Sequence, residues 1–198
     1  MRLKEKNSGF SDDEVISSVR EGKVQNFEII IERYKTKIIN FVFRMILDYD
    51  EAQNITQEVF LKIYKNIKKY REKNNFQSFI YTIAKNITLN YIKKKNRVVF
   101  FSGFSREKGE EKYIRIEGTQ TDEIEKNEKD ILLTEALRTL NENQRLALIL
   151  KIYLGFSYNK IREITGWTIP KIETLISRAK QNLKKKVILQ ESGNKNVK

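Results

Sequence analysis

From Phe76 to Asn96 the chain reads FQSFIYTIAKNITLNYIKKKN, and its apolar residues Phe76, Phe79, Ile80, Ile83, Ala84, Ile87 and Tyr91 fall at three- and four-residue steps. That period predicts a helix buried along one stripe. The other faces of the helix carry Tyr81, Lys85, Asn86, Asn90 and Lys93, and lysines close it. Three further stripes precede this one. Ser11-Asp-Asp-Glu14 has the spacing of a capping box and opens a short helix running to Gly22. Phe27, Ile30, Ile31, Tyr34, Ile38, Phe41, Val42, Met45 and Ile46 predict a second helix from near Asn26, and the acids at Asp48–Asp50 turn the chain and cap a third. Ala52, Ile55, Val59, Phe60, Ile63 and Ile67 point inward on that third helix, leaving Asn54, Gln57, Glu58 and Lys62 on its polar face. Four helices with one stripe each predict a compact domain over residues 11–97.

The periodicity lapses at Val98. Residues 98–130 begin with the apolar patch Val98–Phe101 and continue as charge-dense sequence, nine acids against five bases between Glu107 and Asp130. The stretch reads as an acidic linker, too long for a hairpin between packed helices. Helical spacing resumes at Ile131, and residues 131–187 form a second domain. Leu132, Leu133, Ala136, Leu137 and Leu140 make one stripe, and Leu146, Ile149, Leu150 and Tyr153 another, over about Asn143 to Leu154. Ser157 is placed to cap a helix over Tyr158–Thr165, Gly166 to take the positive φ of a tight turn, and Thr168 to cap a last helix with Pro170 in its first turn. Ile169, Ile172, Ile176, Ala179 and Leu183 form its inner stripe. Two short helices joined by a glycine turn, the second basic toward its end, describe a helix-turn-helix, although an ordinary helical hairpin has the same pattern. The fold class is therefore all-α: two small helical domains on a flexible linker.

Charge changes the picture for the first domain. The net charge of +13 is unevenly placed: from Lys62 to Arg97 eleven bases face only Glu72, interleaved with six aromatic residues. Bases neutralise phosphates and aromatic faces stack on exposed bases, so nucleic acid fits this window. A core helix with a solvated lysine end fits the stripe alone. An anionic membrane fits less well, because no surplus of exposed Trp or Leu accompanies the charge. Cysteine and histidine are absent, which excludes disulfides, thiolate or imidazole metal sites, and the common nucleophile–histidine pairs. No paired acids sit in an apolar setting. Neither catalysis, a cofactor, a metal nor a small-molecule substrate is expected. The start, MRLKEKNSGFSDDE, has no long apolar run, and no stretch is long and apolar enough to span a membrane, so a soluble cytoplasmic protein is expected.

At this point the residues resemble a known family, the bacterial sigma factors of the sigma-70 type and in particular the small two-domain extracytoplasmic-function (ECF) group. Asp50-Glu-Ala-Gln-Asn-Ile-Thr-Gln-Glu-Val-Phe60 looks like the D-x-A-E-D-L-T-Q-E-V-F segment of region 2. Phe76-Gln-Ser-Phe-Ile-Tyr-Thr-Ile-Ala-Lys-Asn86 looks like F-x-x-W-L-Y-x-I-A-x-N, and Leu140 to Leu183 resembles region 4. The resemblance implies a promoter-specificity subunit without catalysis. Its region 2 would dock on the clamp coiled coil of core RNA polymerase through Asn54, Gln57 and Glu58. Lys69, Tyr70 and Arg71, then Tyr81, Lys85, Asn86, Asn90, Lys93 and Lys94, would hold the unwound −10 strand. Region 4 would meet the polymerase flap and read the −35 duplex with Thr168, Lys171, Glu173, Thr174 and Arg178. The acidic linker would pass near the RNA path, and an anti-sigma factor is implied as a further partner. A sigma-like DNA-binding regulator that does not itself support initiation is the alternative, and the Thr56-Gln57-Glu58 face argues against it.

Several residues depart from the family pattern. Phe79 replaces a tryptophan, Asn54 and Asn90 replace aspartates, and Arg162 replaces a small residue and must snorkel outward or shift the packing. Glu173 and Leu175 stand where bases are common, which weakens phosphate contact there or lets the glutamate accept from a cytosine amino group.

Overall fold

The computed structural model describes residues 9–70, 75–102 and 134–194. The chain divides into two units, Met1–Lys94 and Lys95–Lys198. Among the described residues every regular element is helical.

The first unit is built from α1 (Asp12–Arg20), α2 (Phe27–Ile46), α3 (Tyr49–Asn66) and the greater part, to Lys94, of α4 (Phe76–Ser102). The caps explain where the helices begin. Ser11 Oγ accepts from the Glu14 N–H at 3.3 Å while the Ser11 N–H donates to Glu14 Oε2 at 2.6 Å, the reciprocal pair that the sequence predicts. The Asp48 carboxylate accepts from the Glu51 N–H at 3.1 Å and opens α3. Helix α2 ends at Leu47, which adopts a left-handed φ of 58° and whose N–H donates to Phe43 O at 2.6 Å. Val15, Ile16 and Val19 of α1 bury against Ile30, Ile38, Phe41, Val42 and Met45 of α2, with Ala52, Ile55, Val59 and Ile63 of α3 and Ile80, Ala84 and Ile87 of α4.

Two details of α4 depart from the sequence expectation. The helix runs through Ser102 rather than stopping at Arg97. Val98–Phe101 contains no glycine or proline, and none follows until Gly103, so nothing in the sequence breaks the helix at Val98. The buried stripe is also rotated. It is centred on Ile80, Tyr81, Ala84, Ile87 and Thr88, and it leaves Phe79 and Ile83 half-buried at its margin.

The second unit, which starts at Lys95 within α4, further holds α5, helical over the described residues 134–138, then α6 (Glu142–Leu148), α7 (Tyr158–Thr165) and α8 (Ile169–Asn194). Asn141 caps α6 by accepting from the Gln144 N–H at 2.9 Å, and Arg145 of α6 donates back to Leu137 O at 2.9 Å. Helix α6 does not end cleanly. It widens into a π turn over Ile149–Tyr153, closed by the Leu154 N–H on Ile149 O at 3.0 Å. Ile149 and Leu150 stay in the core, while Ile152 and Tyr153 are exposed. Ser157 caps α7 through the Lys160 N–H at 3.2 Å. Gly166 ends α7 with φ 74° and donates to Arg162 O at 2.8 Å, the turn that lets α8 set off in a new direction. Ile161 and Ile164 of α7 pack on Ile172, Ile176 and Ala179 of α8. Arg162 is exposed, so its charge is carried outward and the α7–α8 contact is made by the isoleucines.

Gly166→Ala tests the turn. A Cβ there meets open space, so the cost is conformational alone, about 1 kcal/mol or somewhat more. Thermal unfolding should show that loss, and an unchanged midpoint would mean that the turn does not need glycine.

Candidate nucleic-acid interface

Helix α4 presents Asn86, Asn90, Lys93 and Lys94 to solvent, all four exposed. At about 100° per residue these four positions fall within one sector of the helix. Two amides, each a donor and an acceptor, are followed one turn on by two ammonium groups. The amides can hydrogen-bond base edges and the lysines can neutralise phosphates.

Three residues that the sequence places on this surface lie elsewhere. Tyr81 is 1% exposed, with its ring edge-on to Phe41 at 5.4 Å. Tyr70 is 3% exposed, with its ring against Phe76 and Phe79 at 5.5 and 5.1 Å. Neither offers a face to a base; a tyrosine is mostly apolar surface, and here that surface joins the core. Lys85 is half-buried on the stripe of Tyr81 and Thr88, one step round from Asn86, and burial lowers the pKa of its ammonium. Lys69 is the last residue of the 3-10 turn Ile67–Lys69, and Arg71 lies outside the described residues.

A second face lies on α3. Asn54, Gln57 and Glu58 are exposed at i, i+3 and i+4, so they stand together. Leu61 continues the row and is 59% exposed. Leu61 was not singled out by the sequence, yet it is the leucine of α3 that falls off the buried stripe. A single exposed leucine is ordinary on a protein surface, and Leu61 stands out only by its place in line with the polar row.

On α8, Thr168, Lys171, Glu173, Thr174 and Arg178 are all exposed. Lys171, Thr174 and Arg178 share one line at i, i+3 and i+7, with Thr168 a turn earlier, where its carbonyl takes the first helical bond from the Ile172 N–H at 3.1 Å. Glu173 sits about 100° round from Thr174 and is not part of that line. The Thr174 hydroxyl donates to Pro170 O at 2.8 Å and keeps its lone pairs for an incoming donor. Trp167, in the turn, was not singled out by the sequence; the Lys171 ammonium rests over its ring at 5.2 Å.

Two family profiles match these same segments: Sigma-70 region 2 over residues 30–98 and Sigma-70, region 4 over residues 130–183. Together they span well over half of the chain. The chain belongs to the sigma-70 family. Within that family it is similar to the RNA polymerase sigma-H factor of Pseudomonas aeruginosa, 25% identical over 179 residues that cover 88% of this chain and 92% of the relative. It is similar too to the ECF RNA polymerase sigma factor SigW of Bacillus subtilis, 27% identical over 176 residues, covering 87% and 94%. Among solved structures it shares its fold with the sigma factor RpoE of Bartonella quintana, seen in complex with the anti-sigma factor NepR. That match has a TM-score of 0.67 at 22% identity and covers 81% of this chain and 96% of the other. The chain is thus an ECF-type sigma factor, a non-enzymatic subunit that binds core RNA polymerase and directs transcription initiation at promoters. Among the described residues, no helix of this sigma factor is long and apolar enough to cross a membrane.

Proposed function

We propose a division of labour among the three faces of this sigma factor. The row Asn54–Gln57–Glu58 on α3 docks on the clamp coiled coil of core polymerase. The sector Asn86–Asn90–Lys93–Lys94 on α4 receives the unwound −10 strand. The line Thr168–Lys171–Thr174–Arg178 on α8 enters the major groove at −35, with Glu173 at its flank. Residues 11–97 and 131–187 are the two working domains, and residues 98–130 connect them in the cytoplasm. The observation that carries this reading is the α4 sector, where exposed amides and lysines stand on one side of a helix whose other side is core. Single strand needs that pairing of base-edge hydrogen bonding with phosphate neutralisation.

Reconstitution is the test. Purified protein added to core enzyme on a promoter library should give initiation from a small set of sequences. No protein-dependent start from any sequence would defeat the proposal. A regulator that binds duplex without supporting initiation has no use for the α3 row, which favours the sigma reading. Solved relatives are recorded in complex with the anti-sigma factor NepR and with the cytosolic domain of CnrY, and we extend that kind of inhibitory partner to this chain.

Replacing Lys93, Lys94 and Lys95 with alanine should flatten the salt dependence of promoter binding. Each lost phosphate contact lowers the logarithmic slope by about one. A slope equal to wild type would remove the three lysines from the DNA surface.

A further inference from the structure

Helix α1 lies outside the segment matched by the region 2 profile, which begins at residue 30. It is nevertheless tied to the end of α3 and the start of α4. The Tyr70 hydroxyl donates to Asp13 Oδ1 at 2.6 Å. Arg20 donates through Nε to Ile67 O at 3.0 Å and through Nη2 to Tyr70 O, and its guanidinium lies 5.7 Å from the centre of the Tyr70 ring. The carbonyls that leave the Ile67–Lys69 turn are thereby held by a cation, a favourable arrangement at a helix end.

Tyr70 also reaches forward. Its ring meets Phe76, the first residue of α4, edge-on at 5.5 Å, and Phe76 in turn meets Tyr34 of α2 at 5.7 Å. Tyr34 is itself bonded to α1, its hydroxyl donating to Asp12 Oδ2 at 2.5 Å. Neighbouring acids of α1 therefore hold two tyrosines whose rings both pack on the first residue of α4. Burial and the bond to Asp13 both push the Tyr70 phenol well above its ordinary pKa, so the donor persists well into the alkaline range.

We infer that Asp13 and Arg20 are positioning residues for −10 recognition, acting through Tyr70 to set where α4 begins and hence where Asn86 and Asn90 stand. The inference rests on the proposed role of the α4 sector. It also gives Tyr70 a different task from strand contact: the residue works from inside the domain.

The experiment uses the full chain bound to core polymerase and two single-stranded oligonucleotides, one with the preferred −10 sequence and one with the same bases scrambled. The ratio of the two affinities is measured for wild type, Asp13→Ala, Tyr70→Phe, the double variant and Asp13→Glu. Each single change should lower the ratio about tenfold, the worth of one hydrogen bond to a charged group. The double variant should lose no more than either single change, because both remove the same bond, and Asp13→Glu should recover part of the ratio. Core association and the far-UV circular dichroism spectrum should stay at wild type. A ratio unchanged in both single variants, losses that add in the double variant, or a loss that only tracks unfolding would each overturn the inference. A wild-type complex without strand preference would overturn the −10 assignment and this inference with it, whereas a preference that survives every variant overturns the inference alone.

Discussion

Replacing Gln57 and Glu58 together with alanine is expected to abolish association with core RNA polymerase while leaving the fold intact. Both side chains are exposed on α3, and the core residues nearest in sequence, Ile55, Val59 and Phe60, point the other way. Exposed substitutions of this kind shift stability by only about 0.5 kcal/mol or less. An interface is different, because a few central groups carry most of its energy at about 2 kcal/mol or more each. Losing two adjacent ones should weaken the complex on the order of a thousandfold, enough to lose it during co-purification. Thermal unfolding of the variant should match wild type. If the variant co-purifies with core at wild-type stoichiometry, the clamp assignment is wrong.

Asn86→Ala combined with Asn90→Ala should nearly eliminate promoter opening while sparing attachment to core. On the proposed −10 role each amide hydrogen-bonds a displaced base, and good base contacts contribute about 1–3 kcal/mol apiece. Removing both should reduce open complexes about a hundredfold. Permanganate reactivity of unpaired thymines at −10 measures this directly, and binding of the α8 face to −35 duplex serves as the internal control. Wild-type reactivity in the double variant would take the two asparagines off the strand. Asn90 adds an electrostatic element. It stands where the family usually carries aspartate, and a neutral amide beside phosphates avoids a repulsion that a carboxylate would bring.

The local features were legible because their causes are local. The Ser11–Glu14 box, the Asp48 cap and the Gly166 turn each depend on residues within three or four positions, and each is where the sequence puts it. Exposure of Asn54, Gln57 and Glu58 followed from the helical period of α3, as did that of Asn86 and Asn90 on α4. What the period could not decide was the fate of amphipathic side chains. By period alone Tyr81 and Lys85 fall at the margin of the predicted stripe, whose true centre depends on what packs against it, and Phe41 of α2 closes over Tyr81. The burial of Tyr70 was out of reach for a related reason. Its partner Asp13 is 57 positions away, and no spacing rule connects them. The π turn over Ile149–Tyr153 likewise carries no glycine, proline or other residue that announces it.

That π turn bears on how this helix can change length over evolution. A π turn takes in one residue more than an α turn, so the residues beyond it are rotated by about 100° relative to an uninterrupted helix. Loss of a single residue between Ile149 and Tyr153 would let the helix close into regular α geometry with its buried half, through Leu150, unmoved. The residues beyond would keep their bearing as well, because the residue lost and the tightened turn each account for one step of about 100° and cancel, so the Gly155–Ser157 entry to α7 stays where it is. A one-residue deletion at this point is therefore silent for the core and for the approach to α7 alike, whereas the same deletion elsewhere in the helix would turn everything beyond it by about 100°.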